Sequence, residues 1–432
     1  MKVDLIIINA FELLTCASTG KAKKGPTAMQ DVGLIRNGAV AVSAGKIAGV
    51  GQTAEILRDF ESENVLDAAG KSVLPGLVEC HTHVVFGGQR INEFELRIKG
   101  ATYLEIMEAG GGIISTMHQT RDAGLEQLAV QSQKRLDQLL EHGVTTCEVK
   151  TGYGLSTESE LKMLRTIFLL DENHPLDLIP TFLPAHAFPP EFRNREEDYV
   201  DLICEEMLPA ASRLFFEEMG EEEAERHLAR RAGIIFADVF CEKNAFTLEQ
   251  SKKVLRAAKD LGFRLKAHTD EFTNLGCARL AIELGAVSID HLDAISTEEI
   301  ELLARSETVG VVTPTVNFNF GSTEFADARR FIDAGCAVAL STDFNPGSAP
   351  CPSLPNAMAI ACRYQKLLPS EAINAATINA AFAVGLGNRV GSIETGKQAD
   401  LIILDSPDHR VLAYEFGGNP IEKVFKNGRI VL

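Results

Sequence analysis

No uninterrupted apolar run in this sequence is long enough to span a bilayer. The opening residues, Met1-Lys2-Val3-Asp4, lack the pattern of a signal peptide. Cysteine is sparse and unpatterned: there are nine, an odd count, with no Cys-x-x-Cys pair. They read as reduced, mostly buried small apolar residues, and we expect a cytoplasmic protein. Positive charge is also in short supply. The 42 Lys and Arg stand against 60 Asp and Glu, a formal charge of −18. Such a field repels phosphate backbones and anionic membranes, so neither nucleic acid nor a membrane is an expected partner. An anionic small molecule would need a local basic group to bind. The glycine-rich Ala109-Gly110-Gly111-Gly112-Ile113 is not followed by Gly-Lys-Ser/Thr, which argues against a phosphate loop and for a flexible loop over a site.

What is present is alternation. Between the termini, strand-like apolar runs alternate with stretches of helical periodicity, such as Glu126 to Glu141 and Thr247 to Leu261. We count eight strands, ending near His83, Glu148, His186, Cys241, His268, His291, Thr315 and Asp343. Eight β/α units predict an α/β fold, a closed (β/α)8 barrel of the TIM type over residues 73–386, with chemistry at the C-terminal strand ends. Short strand-like runs flank it, Leu5-Ile6-Ile7-Ile8 and Ala39-Val40-Ala41-Val42 before, Asp400 to Leu404 and Val424 to Val431 after. Neither group can stand alone, so residues 1–72 and 387–432 are expected to build one small discontinuous β-sandwich domain. Residues 205–232, dense in Glu, read as a solvated helical excursion between the third and fourth strands.

The histidines carry the chemistry. His81-Thr82-His83 closes the apolar run Ser72 to Cys80, and alternation points both imidazoles to one side while turning Cys80 away. His186, His268 and His291 also end strand-like runs, so five of the ten histidines gather at strand ends. His81, His83 and His268 with Asp343 supply three nitrogens and one carboxylate oxygen, a set that suits zinc or non-haem iron and leaves a position for water.

Around that set stand further candidates. Glu271, in His268-Thr269-Asp270-Glu271, is placed to shuttle protons, although a helix-capping role also fits. His291 could ligate the metal or stabilise a developing oxyanion; we favour the second, since four ligands are already assigned. Asp343 could also accept the proton of the attacking water. Asn345 and Ser348 can hydrogen-bond a carboxylate or carbonyl, though a turn role explains Asn345-Pro346-Gly347 nearly as well. Arg90 follows the first strand and Tyr153 the second. Arg90 offers a planar fork for a carboxylate in an otherwise acidic chain.

These motifs resemble the amidohydrolase superfamily. Within it, His81 to Arg90, Glu148 to Gly154, Pro184 to Ala187 and Ser341 to Gly347 look like signatures of the imidazolonepropionase family, along nearly the whole chain. The resemblance implies hydrolysis of 4-imidazolone-5-propanoate to N-formimidoyl-L-glutamate by a metal hydroxide, the third step of histidine degradation. It implies one zinc or iron ion per chain at His81, His83, His268 and Asp343, and substrate contacts at Arg90, Tyr153, His186, Glu271, Asn345, Gly347 and Ser348. We further expect a homodimer. A superfamily enzyme deaminating a purine or pyrimidine ring is the alternative.

Overall fold

The computed structural model describes residues 1–100, 111–216 and 233–432. The chain starts with β1 (Leu5–Leu14), β2 (Leu34–Ser43), β3 (Lys46–Gln52), β4 (Val65–Asp67) and β5 (Ser72–Pro75). β1 pairs antiparallel with β2, and β2 with β3, while β4 and β5 lie parallel to β1. After Gly76 the backbone enters the barrel.

The barrel strands are β6 (Leu77–Glu79), β7 (Val144–Lys150), β8 (Asp177–Ala185), β9 (Phe236–Cys241), β10 (Arg264–Leu265), β11 (His268–Thr269), β12 (Ser288–His291), β13 (Val309–Val312) and β14 (Val338–Leu340). β10 and β11 are two pieces of one barrel strand, interrupted at Lys266–Ala267, and both pair parallel to β9. All neighbouring pairs from β6 round to β14 are parallel. A parallel bridge between Thr82 and Phe344, just past β6 and β14, brings the two ends together. The result is an eight-stranded, nearly closed parallel barrel, as the alternating runs predict. Strands covered on both faces are largely apolar, and β13, Val-Gly-Val-Val, is buried throughout.

The chain returns to the first sheet with β15 (Leu401–Leu404), β16 (Ile421–Lys426) and β17 (Arg429–Ile430). β15 pairs antiparallel with β5, so both termini share one eight-stranded sheet beside the barrel. Lys426 ties it down, with Nζ 2.6 Å from Asp177 on β8 and 2.7 Å from Asp400.

The helices lie outside. That over Leu248–Asp260 starts at a capping box, Thr247 with Gln250, and buries Val254, Leu255 and Ala258 on one face. Two expectations need correction. The seventh barrel strand ends at Val312; Thr315 sits in a short helix, Pro314–Asn319, because Pro314 suits a first helical turn and cannot extend the ladder. The helix Leu208–Phe216, inside the stretch expected to be solvated, buries Leu208, Ala211, Leu214 and Phe215; residues 217–232 lie outside the described residues. Ala109 and Gly110 of the glycine-rich loop also lie outside them, whereas Gly112 opens the helix Gly112–Asp122.

Candidate metal centre and active site

The C-terminal ends of the barrel strands deliver the histidines to one point. Beyond β6 the backbone stays extended, held by His83 N–H to Phe344 O at 2.9 Å, so His81 and His83 both face the barrel axis. Cys80 faces the other way, into an apolar cluster with Val78 and Ile179. His268 comes from β11, His291 from the end of β12, and Asp343 from the turn after β14. His83 Nε2 and His268 Nε2 are 3.4 Å apart, and Asp343 Oδ1 lies 3.5 Å from both His81 Nε2 and His83 Nε2.

Two overlapping trios, His81–His83–His268 and His81–His291–Asp343, each bring their donor atoms within 4.8 Å of one another. His81 Nε2 and Asp343 Oδ1 are buried there without a hydrogen-bond partner among the described residues, and so is His291 Nε2, whose role as donor or acceptor follows its tautomer. Orphaned buried acceptors are costly. Lone pairs from several groups aimed at one point are what a cation would satisfy, so the residues fit a metal ion. Backbone strain gathers at the same place: Asp270, His291, Leu292 and Asp343 have φ of +57°, +82°, +70° and +51°.

A ring of buried charge beneath these side chains orients them. Asp290 Oδ2 accepts the Nδ1 proton of His81 at 2.7 Å, which leaves the Nε2 lone pair facing the centre. Asp290 is held in turn by Ser288 Oγ at 2.6 Å and by Lys266 Nζ at 3.4 Å. His268 Nδ1 lies 3.0 Å from Asp238 Oδ2. Lys150 Nζ donates to Asp238 at 2.9 Å and to Glu148 at 2.7 Å. Glu79 accepts from the hydroxyls of Ser341 and Thr342, tying β6 to the turn that carries Asp343.

Electrostatics favour the metal-binding protonation states of the imidazoles. Burial, reinforced by Lys150, holds His81 well below the usual histidine range; burial and His186 do the same for His83, and burial and His268 for His291. All three are therefore neutral at pH 7. Burial pushes Asp343 well above the usual aspartate range. Burial would also raise Asp238, but His268 and Lys150 outweigh it and hold that carboxylate well below.

Above the centre lies a second group. Glu271 is deeply set, its Oε2 3.9 Å from His291 Nδ1, and burial together with Asp343 keeps its carboxyl well above the usual range. His186 stacks on His83, with ring centroids 4.9 Å apart and planes at 17°. Its Nδ1 is 3.0 Å from Gly152 O, and a carbonyl only accepts, so Nδ1 carries the proton and Nε2 is an acceptor. Burial pushes His186 down to about 3. Gly152 has φ +101°, and a Cβ there would meet His186 Nδ1 at 2.9 Å, so only glycine lets this loop approach. Tyr153, 3% exposed, sits 5.3 Å from the His186 ring and 5.8 Å from that of His83.

Arg90 gives its Nε and Nη2 to Glu93 Oε2, at 2.8 and 2.6 Å, and turns its Nη1 toward Gly347, where a Cβ would come within 2.2 Å. Asn345 is spent inside its own turn: Nδ2 donates to Asp343 O and Ser348 Oγ, and Oδ1 accepts from the N–H groups of Gly347 and Ser348. Among the described residues no acceptor takes the proton of the Ser348 hydroxyl, which is left to donate.

Comparison with known proteins bears on this geometry. Residues 217–431 match the model of the Amidohydrolase family. A protein of Chloroflexus aggregans named imidazolonepropionase is 51% identical over 99% of this chain and 98% of its own length. Another of that name, from Herpetosiphon aurantiacus, is 47% identical over 98% of this chain and 97% of its own. The chain belongs to the imidazolonepropionase family. In solved structures the fold recurs in an adenosine deaminase of Xanthomonas campestris with bound zinc, at TM-score 0.72 and 21% identity, covering 100% of this chain and 93% of that one. It recurs also in an E. coli guanine deaminase, at TM-score 0.71 and 16% identity, covering 99% and 98%. A metal cofactor follows from the amidohydrolase family together with the His/Asp cluster.

In this member of the imidazolonepropionase family, sequence reasoning overlooked the buried charges that hold the ligands: Glu79, Glu148, Lys150, Asp238, Lys266 and Asp290, none more than 1% exposed. Their signal was there, as ionisable residues set in or beside strand-like runs: Glu79 on β6, Glu148 and Lys150 on β7, Asp238 on β9, Lys266 between β10 and β11, and Asp290 on β12. Glu160 was overlooked too. It accepts from the N–H groups of Gly152, Gly154 and Leu155 at 2.9, 2.7 and 2.8 Å, fixing the loop that presents Tyr153.

Proposed function

We propose that the chain hydrolyses 4-imidazolone-5-propanoate to N-formimidoyl-L-glutamate, in histidine degradation, with one zinc or iron ion. The observation that carries this reading is the meeting of His81 Nε2 and Asp343 Oδ1, unpartnered among the described residues, with His83 and His268 in a chain 51% identical to a protein named imidazolonepropionase. The donor set of His81, His83, His268 and Asp343 suits either metal. Bound there, the metal would supply Lewis-acid polarisation of the ring carbonyl and activation of water.

The chain's own residues do the rest. Arg90, with Glu93 occupying one edge of its guanidinium, receives the propionate on the side lined by Gly347 and the Ser348 hydroxyl. Asn345 keeps that turn in shape. The Nε2 lone pair of His186 accepts a ring N–H, and the buried ring of Tyr153 walls the pocket against water. When Thr313 Oγ1 donates to His291 Nδ1, 3.1 Å away, the imidazole proton sits on Nε2 and stabilises negative charge developing on the carbonyl oxygen. Glu271 takes the proton released by water and passes it to the ring nitrogen as the C–N bond opens. Incubation of the purified protein with freshly generated 4-imidazolone-5-propanoate, and detection of N-formimidoyl-L-glutamate, tests the reading; absence of product from metal-loaded protein would refute it.

A further inference from the structure

We propose that a cavity beside the metal centre is an anion-capturing antechamber, in which Arg97 and Lys134 hold the carboxylate of the incoming substrate before Arg90 does. The inference rests on the proposed function and extends it to residues outside the catalytic group. The cavity measures about 780 Å³ and abuts the turn after β14, sharing Arg90, Asn345 and Gly347 with the centre. Four cations line it, Arg90, Arg97, Lys134 and Arg135, and no Asp or Glu does so among the described residues. In a chain of formal charge −18 this is a local reversal of sign.

The four cations differ in what already holds them. Arg135 donates to Val84 O and Phe86 O at 2.8 and 2.9 Å, and its guanidinium lies 3.4 Å from the centroid of the Phe86 ring. Arg90 is paired with Glu93. Arg97 is only half used. Its Nη2 donates to Gly347 O at 3.0 Å and its guanidinium lies 5.5 Å from the centroid of the Phe320 ring, while Nη1 is buried without a hydrogen-bond partner among the described residues. A buried guanidinium N–H with no acceptor is costly and marks a place for one. Arg90 turns Nη1 toward Gly347 and Arg97 donates to the Gly347 carbonyl, so both cations border the place where a carboxylate would arrive. Lys134 is exposed on the helix Leu125–Glu141 and has no ion pair among the described residues. Its charge reaches outward, where capture begins.

The test combines kinetics of the metal-loaded enzyme with binding of glutarate, a simple dicarboxylate, by calorimetry. For wild type, kcat/KM falls as ionic strength rises from about 0.01 to about 0.15 M, where the screening length contracts from about 30 to about 8 Å. Lys134→Met and Arg97→Met each lower kcat/KM about tenfold at low salt and flatten its salt dependence, with a much smaller change in kcat. Arg97→Lys restores the salt dependence, which a purely structural role of Arg97 would not allow. Both methionine variants weaken glutarate binding. Unchanged kcat/KM and glutarate binding in both overturn the proposal, and so does a loss confined to kcat. If wild type does not turn over 4-imidazolone-5-propanoate, the proposed function fails, and glutarate binding alone decides the antechamber: weakened in the variants it stands, equal to wild type it falls.

Discussion

The Nδ1 of His81 and the Oδ2 of Asp290 are 2.7 Å apart, with both side chains fully buried. A carboxylate without a proton can only accept, so this contact fixes the imidazole tautomer and turns the Nε2 lone pair toward His83, His268 and Asp343. Partners of this kind are typically worth about 10–100-fold in metal affinity. Asp290→Asn keeps the volume and removes the charge. It should lower metal affinity by that factor, measured by competition with a chelator, while the circular dichroism of the fold is retained. Equal affinity in the variant would remove Asp290 from the account.

Metal uptake should release a proton. Burial keeps Asp343 of the metal-free protein well above the usual aspartate range, so its carboxyl is protonated at a pH where a surface aspartate would not be. A metal needs the carboxylate. Apparent affinity therefore rises with pH up to the raised value of Asp343 and levels off above it. His81, His83 and His291 are held below the usual histidine range and add no step near pH 6.5. Calorimetry in buffers of different ionisation enthalpy counts the protons; metal uptake without proton release below the raised value of Asp343 would contradict this.

Glu271→Gln changes little volume and removes a group able to carry a proton. Its kcat should fall by about 10²–10⁴, the usual contribution of a general acid–base group, with metal content unaltered. Turnover equal to wild type would leave Glu271 a positioning residue only.

Much of the fold was legible. Fully buried parallel strands are near-continuous apolar runs, and outer helices carry one apolar stripe, so β13 and Leu248–Asp260 announce themselves locally. The histidine cluster was legible because His81 and His83 share one alternation and the others end similar runs. The charge ring was legible only in part: Glu148 and Lys150 stand two apart on β7, but nothing local records that Lys150 reaches across to Asp238 on β9. Asn345 could not be judged from its neighbours, since the same Asn-Pro-Gly either binds a ligand or closes a turn. Around Leu208–Phe216 the density of Glu nearby concealed an apolar face.

Arg90→Met should raise KM with little change in metal content. Truncating one partner of a desolvated charge pair typically costs about 2–5 kcal/mol. A neutral ring analogue lacking the propionate should bind wild type and variant almost equally. An unchanged KM for 4-imidazolone-5-propanoate would show that the carboxylate is anchored elsewhere.

The most direct measurement is turnover of 4-imidazolone-5-propanoate as a function of metal bound. Protein stripped by a chelator and titrated with zinc or iron should regain N-formimidoyl-L-glutamate production in proportion to metal, reaching its plateau at about one ion per chain, the content of a single three-histidine, one-carboxylate site. Full activity in stripped protein, or a plateau only at two ions per chain, would contradict the account.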